Sequence, residues 1–164
     1  MLKIIIPGTE LYDEVKEEFS STKEVVLQLE HSLISISKWE SRYRKPFLSK
    51  GQKTVEETIE YVKHMTLTQN VDDLAYRSLT QSILQEIFAY IENPMTATYF
   101  YEDKTAPRPM SREVITSELI YYWMTAFQIP FECQKWHLNR LLTLIDICNR
   151  KNQPNKSRAS KGEM

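Results

Sequence analysis

Ser111–Arg150 reads SREVITSELIYYWMTAFQIPFECQKWHLNRLLTLIDICNR, and its apolar residues recur at helical spacing on both sides of a break before Pro130. Ser111 is placed to cap the first of two helices, and the second follows the proline with Leu138, Leu141, Leu142, Ile145 and Cys148 along one stripe. A short break between two long helices predicts antiparallel packing. Within Glu118–Phe127 the run Leu119, Ile120, Tyr121, Tyr122, Trp123, Met124 is apolar nearly all round, which on a helix means burial from several directions at once. That surplus exceeds what one side of a small domain buries, and it points to a partner.

Helical character extends upstream to Ser32. Thr80 opens a helix with Leu79 and Leu84 at staple positions and Ile83, Ile87, Phe88 and Ile91 as the inward stripe, stopped at Asn93–Pro94. Thr54 with Glu57 gives a capping box for TVEETIEYVKHM, where Val55, Ile59, Val62 and Met65 share a face. In SLISISKWESRYR either Ser32 or Ser37 can cap, Ser37 forming the S-x-x-E box with Glu40, and Pro46 ends the element. Before Ser32 the pattern is extended. Leu2–Ile6 and the run after Pro7–Gly8–Thr9 read as a β-hairpin, and Val25, Leu27 and Leu29 alternate on a third strand. Thr96–Tyr101 favours β structure before a segment with Pro107 and Pro109, an arm or exposed loop. The expected fold is α+β, mainly α: a small N-terminal antiparallel sheet of about three strands, then about five helices.

A chain of 164 residues, 41% hydrophobic and 26% charged, describes one domain, set here at residues 1–149. Residues 150–164 carry five Lys or Arg against one Glu with no apolar period, and read as a disordered hydrophilic tail. A formal net charge of −1 creates no global field toward nucleic acid or an acidic membrane. Cys133 and Cys148 are the only cysteines, and no segment approaches the roughly 18–20 apolar residues of a membrane span. An intracellular, soluble protein is expected.

Catalytic chemistry finds little footing. Cys133 and His137 stand four apart, yet a structural zinc needs four ligands, and His31 and His64 lie in distant elements. Glu30–His31 is the one adjacent acid–base pair, and neighbours on a strand point to opposite faces. With glycines only at Gly8, Gly51 and Gly162, no phosphate-cradling loop can be built. No catalytic, cofactor-binding or metal-binding residue is assigned, and no enzyme is expected. The basic tail and the Arg42–Lys45 run read as a solvated terminus and a helix end rather than as a nucleic-acid groove. The residues singled out as partner contacts are Tyr121, Tyr122, Trp123, Phe127, Tyr99 and Tyr101, because interfaces favour aromatic side chains.

Several strings carry a resemblance: SISKWESRYRKPFLSK, TVEETIEYVKHMTLTQNV, NPMTATYFY, SREVITSELIYYWM and IPFECQKWHLNRLLTLI. Together they resemble the tail assembly chaperones of long-tailed bacteriophages, over nearly the whole chain to about Asn152, most distinctively at Lys38–Ser41, Lys45–Leu48 and Trp136–Arg140. The resemblance implies a noncovalent role: binding the long helical tape measure protein, self-associating along it, and promoting polymerisation of the tail tube protein. It implies action in the host cytoplasm, absence from the mature virion, and a short product of a frameshifting pair. The alternative is a permanent virion component such as a head–tail connector or tail-completion protein.

Overall fold

The computed structural model describes residues 1–8, 10–21, 23–100 and 113–153. The chain folds as α+β, mainly α. The first strand, β1 (Leu2–Ile6), pairs antiparallel with β4 (Val25–Leu29), Leu2 opposite Leu29 and Ile6 opposite Val25. Between them lies a separate ladder, β2 (Glu10–Asp13) with β3 (Glu18–Ser21), in which Tyr12 faces Phe19. The expected three-stranded sheet is therefore two two-stranded ladders, and the strands flanking Pro7–Gly8 pair elsewhere rather than with each other. The turn that does close a hairpin is Glu14–Glu17. The Asp13 carboxylate accepts from the N–H groups of Val15 and Lys16 at 2.9 and 3.3 Å, and Glu17 adopts a left-handed φ of 50°.

Among the described residues six α-helices follow: α1 (Leu33–Tyr43), α2 (Val55–Met65), α3 (Asp73–Arg77), α4 (Gln81–Glu92), α5 (Ser117–Ala126) and α6 (Leu138–Asn152), with a 3-10 turn at Phe131–Lys135. Thr54 and Thr80 cap α2 and α4, accepting from Glu57 N–H and Ile83 N–H. Capping of α1 falls to Ser32, whose box partner is Ser35. The Ser37–Glu40 box does not form because Ser37 lies inside α1, past the Ser32 cap, and the Glu40 carboxylate serves longer-range bonds instead. It accepts from Phe47 N–H at 3.1 Å and from Ser117 N–H at 2.7 Å, tying the exit of α1 to the start of α5. Thr116 rather than Ser111 caps α5, and Ser111 lies outside the described residues. The element after Pro130 is first the 3-10 turn, with α6 beginning only at the His137 cap. The helix α3, capped by Asp72, is additional to the expected set.

Packing explains which faces are buried. Leu27 and Leu29 of β4 and Ile4 and Ile6 of β1 form the floor of the core, over which Leu33, Ile36 and Trp39 of α1 and Val62 and Met65 of α2 close. Trp39 donates its indole N–H to Glu57 O at 2.9 Å. Ile87, Ile120, Met124, Leu138 and Leu141 complete the core from the later helices. Two residues assigned inward face out: Val55 sits in the first turn of α2, and Phe88 is 41% exposed. The helix α6 runs to Asn152, so the structured domain passes the expected boundary at 149 by three residues, and residues 154–164 lie outside the description.

Two substitutions separate the local cap from the tertiary one. Ser32→Ala is expected to lower the unfolding free energy by about 1 kcal/mol and Ser37→Ala by no more than about 0.5 kcal/mol. Glu40→Ala, which strands two N–H groups, is expected to cost about 2–4 kcal/mol. Urea titrations of the three variants check the order.

Candidate interaction surface

Buried polar side chains gather around His31, with Ser32, Ser35 and His137. His31, 2% exposed, meets the Tyr61 hydroxyl through Nδ1, and Tyr61 in turn meets Ser35 Oγ at 3.1 Å. Ser35 donates its only hydroxyl hydrogen to Ser32 O at 2.8 Å. Ser35 therefore accepts from Tyr61, and Tyr61 accepts from His31 Nδ1–H. Burial and the neighbouring His137 lower the His31 pKa to about 3, and burial pushes the Tyr61 phenol well above its ordinary value. Both groups are thus held neutral near pH 7. Glu30 points the other way, its carboxylate accepting from Tyr90 OH at 2.7 Å and lying 3.3 Å from the Met1 amino group. The adjacent side chains diverge although both lie past the end of β4, in the junction that leads to α1.

His137 is equally committed. As the cap of α6 it accepts from Asn139 N–H through Nδ1 at 3.1 Å, so its ring proton sits on Nε2, 2.8 Å from the Tyr90 carbonyl. Neither nitrogen is free for a metal, and Cys133 belongs to the preceding 3-10 turn rather than to the same helix. Among the described residues no group of three or more His, Cys, Asp or Glu side chains is arranged to hold a metal ion.

The outward-facing aromatic residues divide. Tyr122 is 66% exposed, in the middle of α5, and Phe131 is exposed on the 3-10 turn. Tyr121 is half-buried and donates its hydroxyl to Gln134 Oε1 at 2.8 Å, so its role is partly to fix that turn. Trp123 and Phe127 are half-buried against the core and line a groove between α5 and α6. Leu142, Ile145, Asp146 and Asn149 form its other wall, and it encloses about 310 Å³. Aliphatic and aromatic side chains supply the lining and Asp146 and Asn149 one rim, an arrangement able to hold an apolar side chain with a polar group beside it.

Tyr99 is 72% exposed on the segment that leaves α4, and residues 96–100 form no strand. Successive turn-forming residues explain the difference. Asn93 and Thr96 each bond a backbone N–H two residues ahead, and Met95 holds a left-handed φ of 52°. Next to Tyr99, Phe100 is covered by the Arg150 guanidinium at 3.9 Å, which ties this segment to the end of α6. Tyr101 lies outside the described residues. Sequence reasoning missed Phe131 and the aromatic pair on the β2–β3 hairpin, Tyr12 and Phe19. Period-2 alternation was the available signal for the pair.

His31 makes stability depend on pH with a definite sign. Its folded pKa lies below the unfolded value of about 6.5, so the unfolded chain binds the extra proton and stability falls as pH drops from about 6.5 toward 3. The slope from this group approaches about 1.4 kcal/mol per pH unit. Chemical denaturation at pH 7 and pH 5 is expected to show a smaller difference for His31→Gln than for the unmodified chain. No protein-family model, curated protein or solved structure matches this chain.

Proposed function

We propose that this protein is a phage tail assembly chaperone that binds the tape measure protein noncovalently and promotes assembly of the tail tube around it. The observation that supports the reading is the open groove between α5 and α6, with Trp123 and Phe127 on one wall; Tyr122, outside the lining, adds an exposed aromatic ring on the adjacent face of α5. A helical client presents apolar side chains at i, i+3, i+4 and i+7, and a groove between two helices receives such a row. A tape measure repeats amphipathic faces along its length, so many copies of a small subunit cover what one copy cannot. The resemblance carried by Lys38–Ser41, Lys45–Leu48 and Trp136–Arg140 names the client. In this reading the protein acts in the host cytoplasm and leaves before the virion matures. Among the described residues no helix is long and apolar enough to cross a membrane.

Co-expression with a helical tape measure fragment is the test. The fragment is expected to stay soluble and to co-elute with the protein. Tyr122→Ser is expected to weaken the complex by about 1–2 kcal/mol while leaving the melting temperature unchanged, because that side chain is exposed. Trp123→Ser is expected to lower both. A fragment that precipitates beside well-folded protein overturns the reading. Recovery of the protein at fixed copy number in purified particles would replace it with that of a head–tail connector or tail-completion subunit.

A further inference from the structure

The β2–β3 hairpin is a projection with no cover of its own. Its described side chains are exposed, among them Tyr12, Val15 and Phe19, of which Val15 at the tip is 93% exposed. Tyr12 and Phe19 are cross-strand partners with ring centroids 4.9 Å apart, so they present one continuous aromatic face. The hairpin carries five carboxylates, from Glu10, Asp13, Glu14, Glu17 and Glu18, against the single cation of Lys16: by strand alternation Glu10 shares the aromatic face, Glu14 and Glu17 lie in the turn, and the Asp13–Glu18 pair lies on the other face. No ion pair involving these carboxylates occurs among the described residues. A two-stranded hairpin is marginal by itself in water, and an exposed aromatic face rimmed by one sign of charge is stabilised by a complementary surface.

Such a surface lies on the same chain, at the other end of α1. The helix spans about 16 Å and ends in Arg44, which holds a left-handed φ of 54° at the cap. Beyond it the exposed residues include Lys45, Leu48, Lys50 and, across the loop, Val55, with Glu56 the one exposed acid of that stretch. Arg44 and Lys50 pair with no carboxylate among the described residues, and Lys45 holds Glu57 at 2.8 Å. Two hollows adjoin here and share Lys45 and Pro46. The larger, about 400 Å³, opens between the end of α1 and the start of α5, and the smaller, about 160 Å³, lies under Ser49–Lys53. Of the two acids lining the larger hollow, Glu40 is spent on backbone N–H groups and Glu118 remains at its edge.

We infer that the β2–β3 hairpin of one molecule docks on the α1 end of a second copy of this chain, with Tyr12 and Phe19 over the larger hollow and the hairpin carboxylates against Arg44 and Lys50. The donor and acceptor surfaces differ, so the contact is heterologous and repeats head to tail, giving a ring or an open row. Opposite charge sets partner and register, and the aromatic pair supplies the apolar contact. The two four-residue strands offer a small interface, so the contact is weak between free molecules and is strengthened where copies line up on a shared scaffold. That is the geometry the proposed client would impose, although the contact itself needs only this chain.

Sedimentation velocity of the full chain at rising concentration, in low and high salt, tests it without any client. Concentration-dependent association that weakens with salt is expected. Glu17→Gln with Glu18→Gln, and separately Arg44→Gln with Lys50→Gln, are each expected to weaken association by about tenfold, with unchanged circular dichroism. Mixing the two double variants is expected to restore association but to stop it at dimers, because each retains one intact surface. A chain that stays monomeric throughout overturns the inference. So does undiminished association of the Arg44/Lys50 variant, the signature of hairpin-to-hairpin pairing. Since no client is present, failure here leaves the client reading standing, and failure of the client test leaves this contact untouched.

Discussion

The junction between β4 and α1 holds the molecule together through backbone groups that cannot be left unpaired. Within three residues, Glu30 N–H bonds Met65 O at 3.0 Å, His31 O accepts from Leu138 N–H at 2.7 Å, and Ser32 caps α1. These bonds bring together the sheet, the end of α2, the start of α6 and the start of α1. Each would cost about 1–3 kcal/mol if stranded in the interior. The His31 ring then fills the space this convergence creates, edge-on to His137 at a centroid distance of 5.2 Å and to Tyr61 at 5.8 Å. Apolar side chains packed around the junction supply the larger share of the stabilisation. What the polar centre adds is a fixed register, since its donors and acceptors match in one arrangement.

Helix starts were legible wherever a capping residue was followed directly by a periodic apolar run, as at Thr54 and Thr80. They were misread where tertiary contacts took a residue that local rules had assigned. Glu40 is the clearest case: the S-x-x-E pattern at Ser37 is real in the sequence, and the carboxylate instead accepts an N–H from a residue 77 positions away. Strand identity was legible at β1, β2 and β4 but not at β3, and strand partnership was not legible. The Pro7–Gly8 signal suggested a turn between neighbours, whereas β1 finds its partner beyond an intervening hairpin whose turn contains no glycine. No local pattern encodes that choice, which depends on the buried faces of Ile4, Ile6, Leu27 and Leu29 meeting one another.

Part of the candidate surface was legible for a related reason. An all-round apolar helix announces excess, and α5 does bury Ile120 and Met124 while leaving Tyr122 to solvent. Which of Tyr121, Tyr122, Trp123 and Phe127 turns outward depends on helix phase, and the phase is set by where the cap falls. Thr116 as the cap, with Ser117 N–H held by Glu40, fixes the rotation of α5 against α1. Composition alone contains no such information.

The β2–β3 ladder interrupts a pairing that closes without it. Because β1 and β4 are joined to each other over their full lengths, the intervening residues contribute little to the core and are under correspondingly little folding constraint. The hairpin's exposed surface is therefore separable from the stability of the core, unlike the α5–α6 groove, whose Trp123 and Phe127 also pack against the interior. Mutations can accumulate in the hairpin, changing its charge, length or aromatic content, without passing through unfolded intermediates. A lineage carrying this domain could change which molecules it joins while its interior stays the same.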